Sequence, residues 1–348
     1  MSPDPRRRLG PVVRLAPAKL NLSLAVLGLR PDGFHDLHSV MVTLDLADVL
    51  TLAPAPAGTD TLHVEGHDPG PAADNLVLRA IAETRRAVGA GWGGSDGPGA
   101  RGAGPTAGPA PALATRLEKR IPVAAGLAGG SSDAAAAMDG AVEAWSAELD
   151  DHVRLELATR LGSDVPFFLA GGAALVEGRG ERVTPLRALA GEPLGVLLVA
   201  PPVAVATADV FAAFAAGIRS VDPATTRSSS VHLASEIETG LTGTRLLDRA
   251  GILASANDLV AAAAAVLPAL TPFRRALTRV LGRPVGQSGS GPTMWALYAS
   301  QAEAATAAGL VRSAIADGRC SVPGDGPASI VATSLATARN TDPTDTPQ

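Results

Sequence analysis

The run Pro122-Val123-Ala124-Ala125-Gly126-Leu127-Ala128-Gly129-Gly130-Ser131-Ser132-Asp133 has the composition of a phosphate loop. Gly126, Gly129 and Gly130 let the backbone approach a ligand closely and take positive φ. Ser131, Ser132 and Asp133 suit a helix start, because short oxygen side chains cap free N–H groups. Such N–H groups, with the helix dipole, attract phosphate. The plain alternative is a glycine-rich turn that only caps a helix, and the Asp133 charge repels an anion. No lysine follows the glycines, so this is not a Walker A loop, nor is it a G-x-G-x-x-G.

Other residues with chemical potential are ambiguous one at a time. Lys19 sits in an apolar run two residues before Asn21, where a lone lysine is ordinarily a solvated charge. Asp164 follows Gly162, where it could cap the turn at 165–168. Phe34 and His35 follow Asp32-Gly33, which presents them on a turn. A flat ring there can stack on a base, and an imidazole can read its edge; the alternative for Phe34 is an ordinary core aromatic. His63 and His67 are four apart, but Gly66, Asp68 and Pro69 make their segment a loop, so no metal pair is assigned.

The elements that must position these residues are legible in outline. Residues 12–15, 20–27, 44–52, 61–65, 113–120, 171–176, 194–199 and 293–298 read as strands. Helices are expected over 75–88, 152–161, 209–217, 231–239, 259–267 and 274–281. Met138, Val142, Trp145 and Leu149 recur at helical spacing behind the glycine loop. Gly162 suits the stop of helix 152–161. Residues 89–112 are dominated by Gly, Ala and Pro and are expected as a flexible surface insertion that packs no core. The polar end of the chain, 334–348, is expected as a disordered tail.

Bulk composition excludes several classes. A chain of 348 residues is a soft prior for two domains. Aromatics are only 3% of residues, so Ala, Val and Leu must fill most of the core. The net charge is 29 minus 34, or −5, which argues against broad electrostatic binding of nucleic acid. One cysteine, Cys320, rules out an internal disulfide and fits a reducing compartment. The longest apolar run, 193–218, is broken by Pro201, Pro202 and Asp209, so no membrane span is expected. A cytoplasmic protein without an obligate protein partner is the expectation.

Three ordered motifs carry a resemblance. Pro17-Ala18-Lys19-Leu20-Asn21-Leu22, the loop from Pro122, and Gly286-Gln287-Ser288-Gly289-Ser290-Gly291-Pro292 resemble the first, second and third motifs of the GHMP kinases. Within that superfamily the chain is most similar to the 4-diphosphocytidyl-2-C-methyl-D-erythritol kinases. That likeness rests on Arg30-Pro31-Asp32-Gly33-Phe34-His35, on Leu161-Gly162-Ser163-Asp164-Val165-Pro166-Phe167-Phe168, on Glu177-Gly178-Arg179-Gly180-Glu181 and on Asn257-Asp258-Leu259. It runs from about residue 12 to 333, outside 89–112. Two positions depart from the family pattern: Phe34 stands where Tyr is usual, and Ala128 where Gly is frequent.

The resemblance implies an α+β chain of two domains, 1–185 like the second domain of ribosomal protein S5 and 186–333 ferredoxin-like, with the site between them. It implies an ATP-dependent kinase acting, with Mg²⁺ brought by the nucleotide, on the 2-hydroxyl of a cytidine diphosphate sugar-alcohol in non-mevalonate isoprenoid precursor synthesis. Lys19 and Asp164 then become a catalytic pair. The ATP contacts become Pro122, Val123, Ala124, Ala125, Gly126, Leu127, Ala128, Gly129, Gly130, Ser131, Ser132 and Asn75. The acceptor contacts become Asn21, Phe34, His35, Gly289 and Ser290. Phosphoryl transfer passes through a loose transition state, so positioning and charge carry most of such catalysis. The rivals are another GHMP kinase, a decarboxylase of the superfamily, or a non-catalytic nucleotide-binding regulator on the same fold.

Overall fold

The apolar runs of the first 54 residues fold as two long antiparallel strands, β1 (Val12–Leu29) and β2 (His35–Pro54). A computed structural model gives the structure, and it describes residues 11–55, 58–71, 74–92, 110–219 and 222–336. The two segments expected at 12–15 and 20–27 are therefore one strand. Its register with β2 shifts between Pro17 and Lys19 and again between Asn21 and Ser23. Irregularities of this kind re-aim side chains; here they bracket Lys19 and Asn21.

The first half continues with β3 (Thr61–Gly66), α1 (Leu76–Trp92), β4 (Leu113–Lys119), α2 (Gly129–Ala144), α3 (Asp151–Leu161), α4 (Val165–Ala170), β5 (Ala173–Gly178) and β6 (Arg182–Pro185). Its sheet runs β3-β4-β2-β5-β6, with β1 paired to β2. The second half comprises β7 (Gly195–Ala200), α5 (Thr207–Ala215), α6 (Pro223–Glu238), α7 (Gly243–Asp248), α8 (Ala250–Leu253), α9 (Val260–Val266), α10 (Leu270–Leu281), β8 (Gly286–Gln287), β9 (Met294–Tyr298), α11 (Gln301–Ala316) and β10 (Ser329–Ser334). Its four strands are ordered β10-β7-β9-β8.

One apolar core joins the halves. Leu20, Leu22, Val42 and Leu44 of the first sheet pack with Val196, Leu198, Trp295 and Leu297 of the second, and with Leu233 and Ile237 of α6. The shared core holds β1, with Lys19 on it, against the loop that follows β8.

Several expectations change. The helix behind the glycine loop ends at Ala144; Trp145 is its C-cap and Ser146 has φ 49°, so Leu149 lies beyond it. Gly162 does stop α3, in an extended conformation at φ 172°. The turn at 165–168 is a short helix, α4. The expected tail is partly built in: Ser334 ends β10, Leu335 bridges Leu44, and the Ala336 N–H donates to the Thr43 carbonyl at 3.0 Å. Residues 337–348 lie outside the described residues.

The insertion is shorter than its composition implies. Residues 89–92 complete α1, and Ala110 is buried in the core of the first half. The Pro111 carbonyl accepts from Trp145 Nε1 at 2.9 Å, and the Ala110 carbonyl accepts from Arg85 Nε at 3.2 Å. Side-chain and backbone anchoring, which composition cannot register, holds this end. The rest of the expected insertion, 93–109, lies outside the described residues. Deleting 93–109, with a short Gly-Ser bridge in its place, leaves the melting temperature within about 2 °C of the parent. Extending the deletion to 112 lowers it by at least about 4 °C, through loss of these contacts. Calorimetry of the two deletions checks the pair.

Candidate active site

Lys19 is the centre of the site. Its side chain is buried on β1, and its ammonium donates to Asn21 Oδ1 at 2.7 Å and to the Gly126 carbonyl at 3.0 Å. Its third direction has Asp164 Oδ2 at 4.0 Å. Burial pulls the Lys19 pKa down, and the Asp164 carboxylate pushes back against that fall. An ammonium has three protons, and these three oxygens come from three separate parts of the sequence.

Asn21 is fixed in turn. Its Nδ2 donates to Ser39 Oγ at 2.9 Å, and Ser39 Oγ donates to the Ser23 carbonyl at 2.6 Å. Ser39 is therefore an acceptor facing Asn21, which sets the amide with Oδ1 toward Lys19. Ser39→Ala leaves Asn21 Nδ2 buried without this partner and releases that orientation. One hydrogen bond is worth about 0.5–1.5 kcal/mol net, so kcat falls by about 3- to 10-fold, with KM for ATP unchanged. An unaltered kcat would show that Asn21 is held without Ser39.

Asp164 opens α4 but makes no side-chain cap bond there, and its side chain remains about a third exposed. The carboxylate is not spent on the helix, which removes the simple capping reading. Gly180, in the turn between β5 and β6, has φ 120° and a position whose Cβ would lie 2.0 Å from the Ser163 carbonyl. Only glycine fits there, and the turn thus buttresses the residue before Asp164.

The second motif meets the third directly. Gly126 has φ 76°, and a Cβ on it would lie 2.6 Å from the Ser288 carbonyl and 2.8 Å from that of Gly291. Ser288 Oγ donates to the Gly126 carbonyl at 3.0 Å. Gly289, at φ 54°, stands over Lys19 and Asn21: a Cβ there would be 3.4 Å from Lys19 Nζ and 3.3 Å from Asn21 Oδ1. Asn257 straps this loop, its Nδ2 donating to the carbonyls of Gln287 at 3.0 Å and Gly289 at 2.9 Å.

The phosphate loop differs from expectation in its cap. The N-cap of α2 is Ala128 in the left-handed conformation, φ 54°, with no side-chain cap bond. Ser131, Ser132 and Asp133 lie inside the helix. The first N–H groups of α2 are thus unspent on a cap, and they remain available to an anion. Asp133 does not face the loop: it is buried, with Lys119 Nζ at 2.7 Å from its Oδ2, and Lys119 also pairs with Asp48. Burial and the nearby Asp48 push the Asp133 carboxyl up to about 7, against the pull of Lys119. Ala125 and Leu127 face the core, so only their backbone can meet a ligand; Pro122 is half-buried, and Val123, Ala124 and Gly130 are exposed. Gly130 opens onto space bounded only by Leu76 Cδ1 at 3.9 Å. Ser132 Oγ is buried with no hydrogen-bond partner. An orphaned hydroxyl beside an uncapped helix start fits a phosphate group, and so these residues fit ATP.

Asn75 precedes α1, and its Oδ1 accepts from the Val77 N–H at 2.9 Å. That oxygen caps the helix and is engaged before any nucleotide arrives.

Phe34 is 47% exposed, on the turn closed by the Arg30 N–H donating to the Phe34 carbonyl at 2.7 Å. It is not a core aromatic; the Arg179 guanidinium lies 5.0 Å over its ring. His35 stacks on Phe211 of α5 at 5.0 Å and meets Phe214 edge-on at 6.2 Å. Desolvation lowers its pKa. Ser290 Oγ is 3.0 Å from Thr207 Oγ1, also on α5. A continuous path therefore leads from Lys19 through Gly289 and Ser290 to α5 and His35.

The family described as "GHMP kinases N terminal domain" matches residues 75–172. The 4-diphosphocytidyl-2-C-methyl-D-erythritol kinase of Pelotomaculum thermopropionicum is 39% identical over 289 residues, which cover 83% of this chain and 89% of the relative. The chain belongs to this family of GHMP kinases. The kinase of the same name from Deinococcus radiodurans is 39% identical over 301 residues, 84% of this chain and 87% of its own. A crystal structure of 4-(cytidine 5'-diphospho)-2C-methyl-D-erythritol kinase superposes with TM-score 0.65 at 30% identity, covering 93% of this chain and all of that one. Homoserine kinase from Cytophaga hutchinsonii superposes with TM-score 0.64 at 16% identity, which speaks to the GHMP fold alone. As a GHMP kinase the chain is an ATP-dependent enzyme of two-domain α+β architecture.

Sequence reasoning missed four supports of this kinase site. The Asn257-Asp258-Leu259 likeness had no role attached to it. Gly180 and Asp133 lie in quoted motifs that gave neither its structural part, and Ser39, Lys119 and Asp48 had no signal beyond residue type.

Proposed function

We propose that this chain phosphorylates the 2-hydroxyl of 4-diphosphocytidyl-2-C-methyl-D-erythritol with ATP and Mg²⁺, in the cytoplasm, as a step of non-mevalonate isoprenoid precursor synthesis. The observation that carries the reading is the Lys19 ammonium held by Asn21 and Gly126 with Asp164 at 4.0 Å, beneath Gly289. ATP supplies the phosphoryl group and arrives with Mg²⁺. The α2 start, with Ser132, holds its phosphates. Asp164 orients the acceptor hydroxyl and takes its proton as the new P–O bond forms, and Lys19 offsets charge on the transferring group. Phe34 stacks on the cytosine, with His35 at its edge; the Phe34 ring, lacking the usual hydroxyl, does this by its face alone.

A substrate panel tests the reading. Purified protein with ATP and Mg²⁺ consumes ATP when the cytidine diphosphate methylerythritol is added. Equal turnover with mevalonate or homoserine would overturn the assignment.

A further inference from the structure

Beside the third motif, which it meets at Gln287, an open cleft of about 550 Å³ lies between α9, α10, β8 and the start of β9, and Thr271, Arg275, Thr278 and Arg279 reach its exposed side. Known small-molecule sites span about 300–1,000 Å³. Thr271, Arg274, Arg275 and Thr278 line it from one face of α10, at i, i+3, i+4 and i+7, and Arg279 adds a third guanidinium. Among the described residues no carboxylate lines the cleft. Val260, Leu270 and Met294 form its apolar part.

Arg274 is the informative member. It is partly buried, and its only hydrogen bonds among the described residues go to neutral carbonyls, Nε to Val285 at 2.7 Å and Nη2 to Ala254 at 2.6 Å. Burial lowers its pKa, with no carboxylate to counter the fall. A partly buried charge without a counter-charge costs stability unless something pairs with it. The two carbonyls also hold this guanidinium rigid, which lowers the entropy lost on binding.

We infer that the cleft is a second ligand site, taking a small phosphate ester with a compact apolar body. The phosphate sits among the three guanidinium groups and the threonine hydroxyls, where charge-assisted bonds are strong. The apolar body lies against Val260, Leu270 and Met294. The site has a route to the catalytic centre. Gln287, 2% exposed, lines the cleft and donates through Nε2 to the Gly289 carbonyl at a long 3.2 Å. An anion in the cleft competes for that donor and leaves the Gly289 carbonyl to Asn257 alone, which loosens Gly289 over Lys19, so occupancy lowers kcat.

Phenyl phosphate is the probe, titrated calorimetrically with ATP present and no acceptor, so that the phosphate loop is already filled. The parent binds one equivalent. Arg275→Gln/Arg279→Gln weakens binding at least tenfold and keeps the parent kcat when no probe is added. Arg274→Gln is a poorer test, since it also releases Val285 and Ala254. Equal binding by parent and double variant overturns the site, as does loss of the heat when ATP is raised. In turnover assays, phenyl phosphate lowers the parent kcat at least twofold at saturating ATP and leaves the double variant unaffected. Binding at the cleft with no change in kcat overturns the route through Gln287. The binding measurement involves no acceptor, so its outcome is independent of the substrate assignment.

Discussion

Asp164→Asn lowers kcat by about 10²–10⁴, the usual worth of a positioned acid or base, while ATP affinity barely changes. The substitution keeps the shape of a side chain that makes no cap bond on α4, so the fold is unaffected. Lys19→Met loses a comparable amount, because it removes charge stabilisation at the transferring group. The double variant is little worse than either single one, since residues acting as a unit are strongly non-additive. Losses that multiply would show two independent residues. A pH signature accompanies the single change. Asp164 raises the Lys19 pKa against burial, so removing its charge moves Lys19 deprotonation to lower pH. The alkaline limb of residual turnover in Asp164→Asn therefore shifts down. A limb that stays in place would mean that the 4.0 Å approach carries no coupling.

Gly126→Ala is expected to damage both stability and turnover. The residue is left-handed, which costs a non-glycine residue about 1–2 kcal/mol, and its Cβ would enter the contact between two loops, 2.6 Å from the Ser288 carbonyl. The loops must separate, and the Gly126 carbonyl leaves Lys19 Nζ and Ser288 Oγ. Misplacement by about 1 Å can cost 10²-fold in rate, so kcat falls by about that factor and the melting temperature by about 5 °C or more. Gly130→Val is the contrast. Its side chain meets only Leu76, so the fold survives while ATP affinity falls by tenfold or more. If Gly126→Ala retains normal kcat, the two loops do not set the position of Lys19. If Gly130→Val titrates ATP normally, the α2 start does not hold the nucleotide.

The motifs were legible because each is local. The runs from Pro122 and Gly286 combine glycines whose backbone freedom is a property of the residue itself, and Pro17–Leu22 sets a lysine and an asparagine at fixed spacing in an apolar run. Alternation and apolar runs likewise place most strands, because burial of one face imposes the period. The Ala-rich helix α11 buries mostly alanines, so its faces differ little in side-chain character and its sequence gives no helical signal of this kind. The 89–112 segment departs from its composition at one end because α1 runs on to Trp92, and at the other because Ala110 and Pro111 are held by Arg85 and Trp145, on other elements.

What the chain could not declare by itself is which residues share a point in space. Taken alone, Lys19 reads as a surface charge, and only the family resemblance pairs it with Asp164; the fold buries β1 beneath the shared core and gives the ammonium Asn21, Gly126 and Asp164. Asp133 reads as a neighbour of phosphate until Lys119, on β4, turns it inward. Asp164 reads as a cap until α4 is seen to start without using it. In each case the deciding quantity is desolvation with a specific partner. Both depend on packing of segments more than a hundred residues apart or on different elements, and no spacing along the chain encodes them.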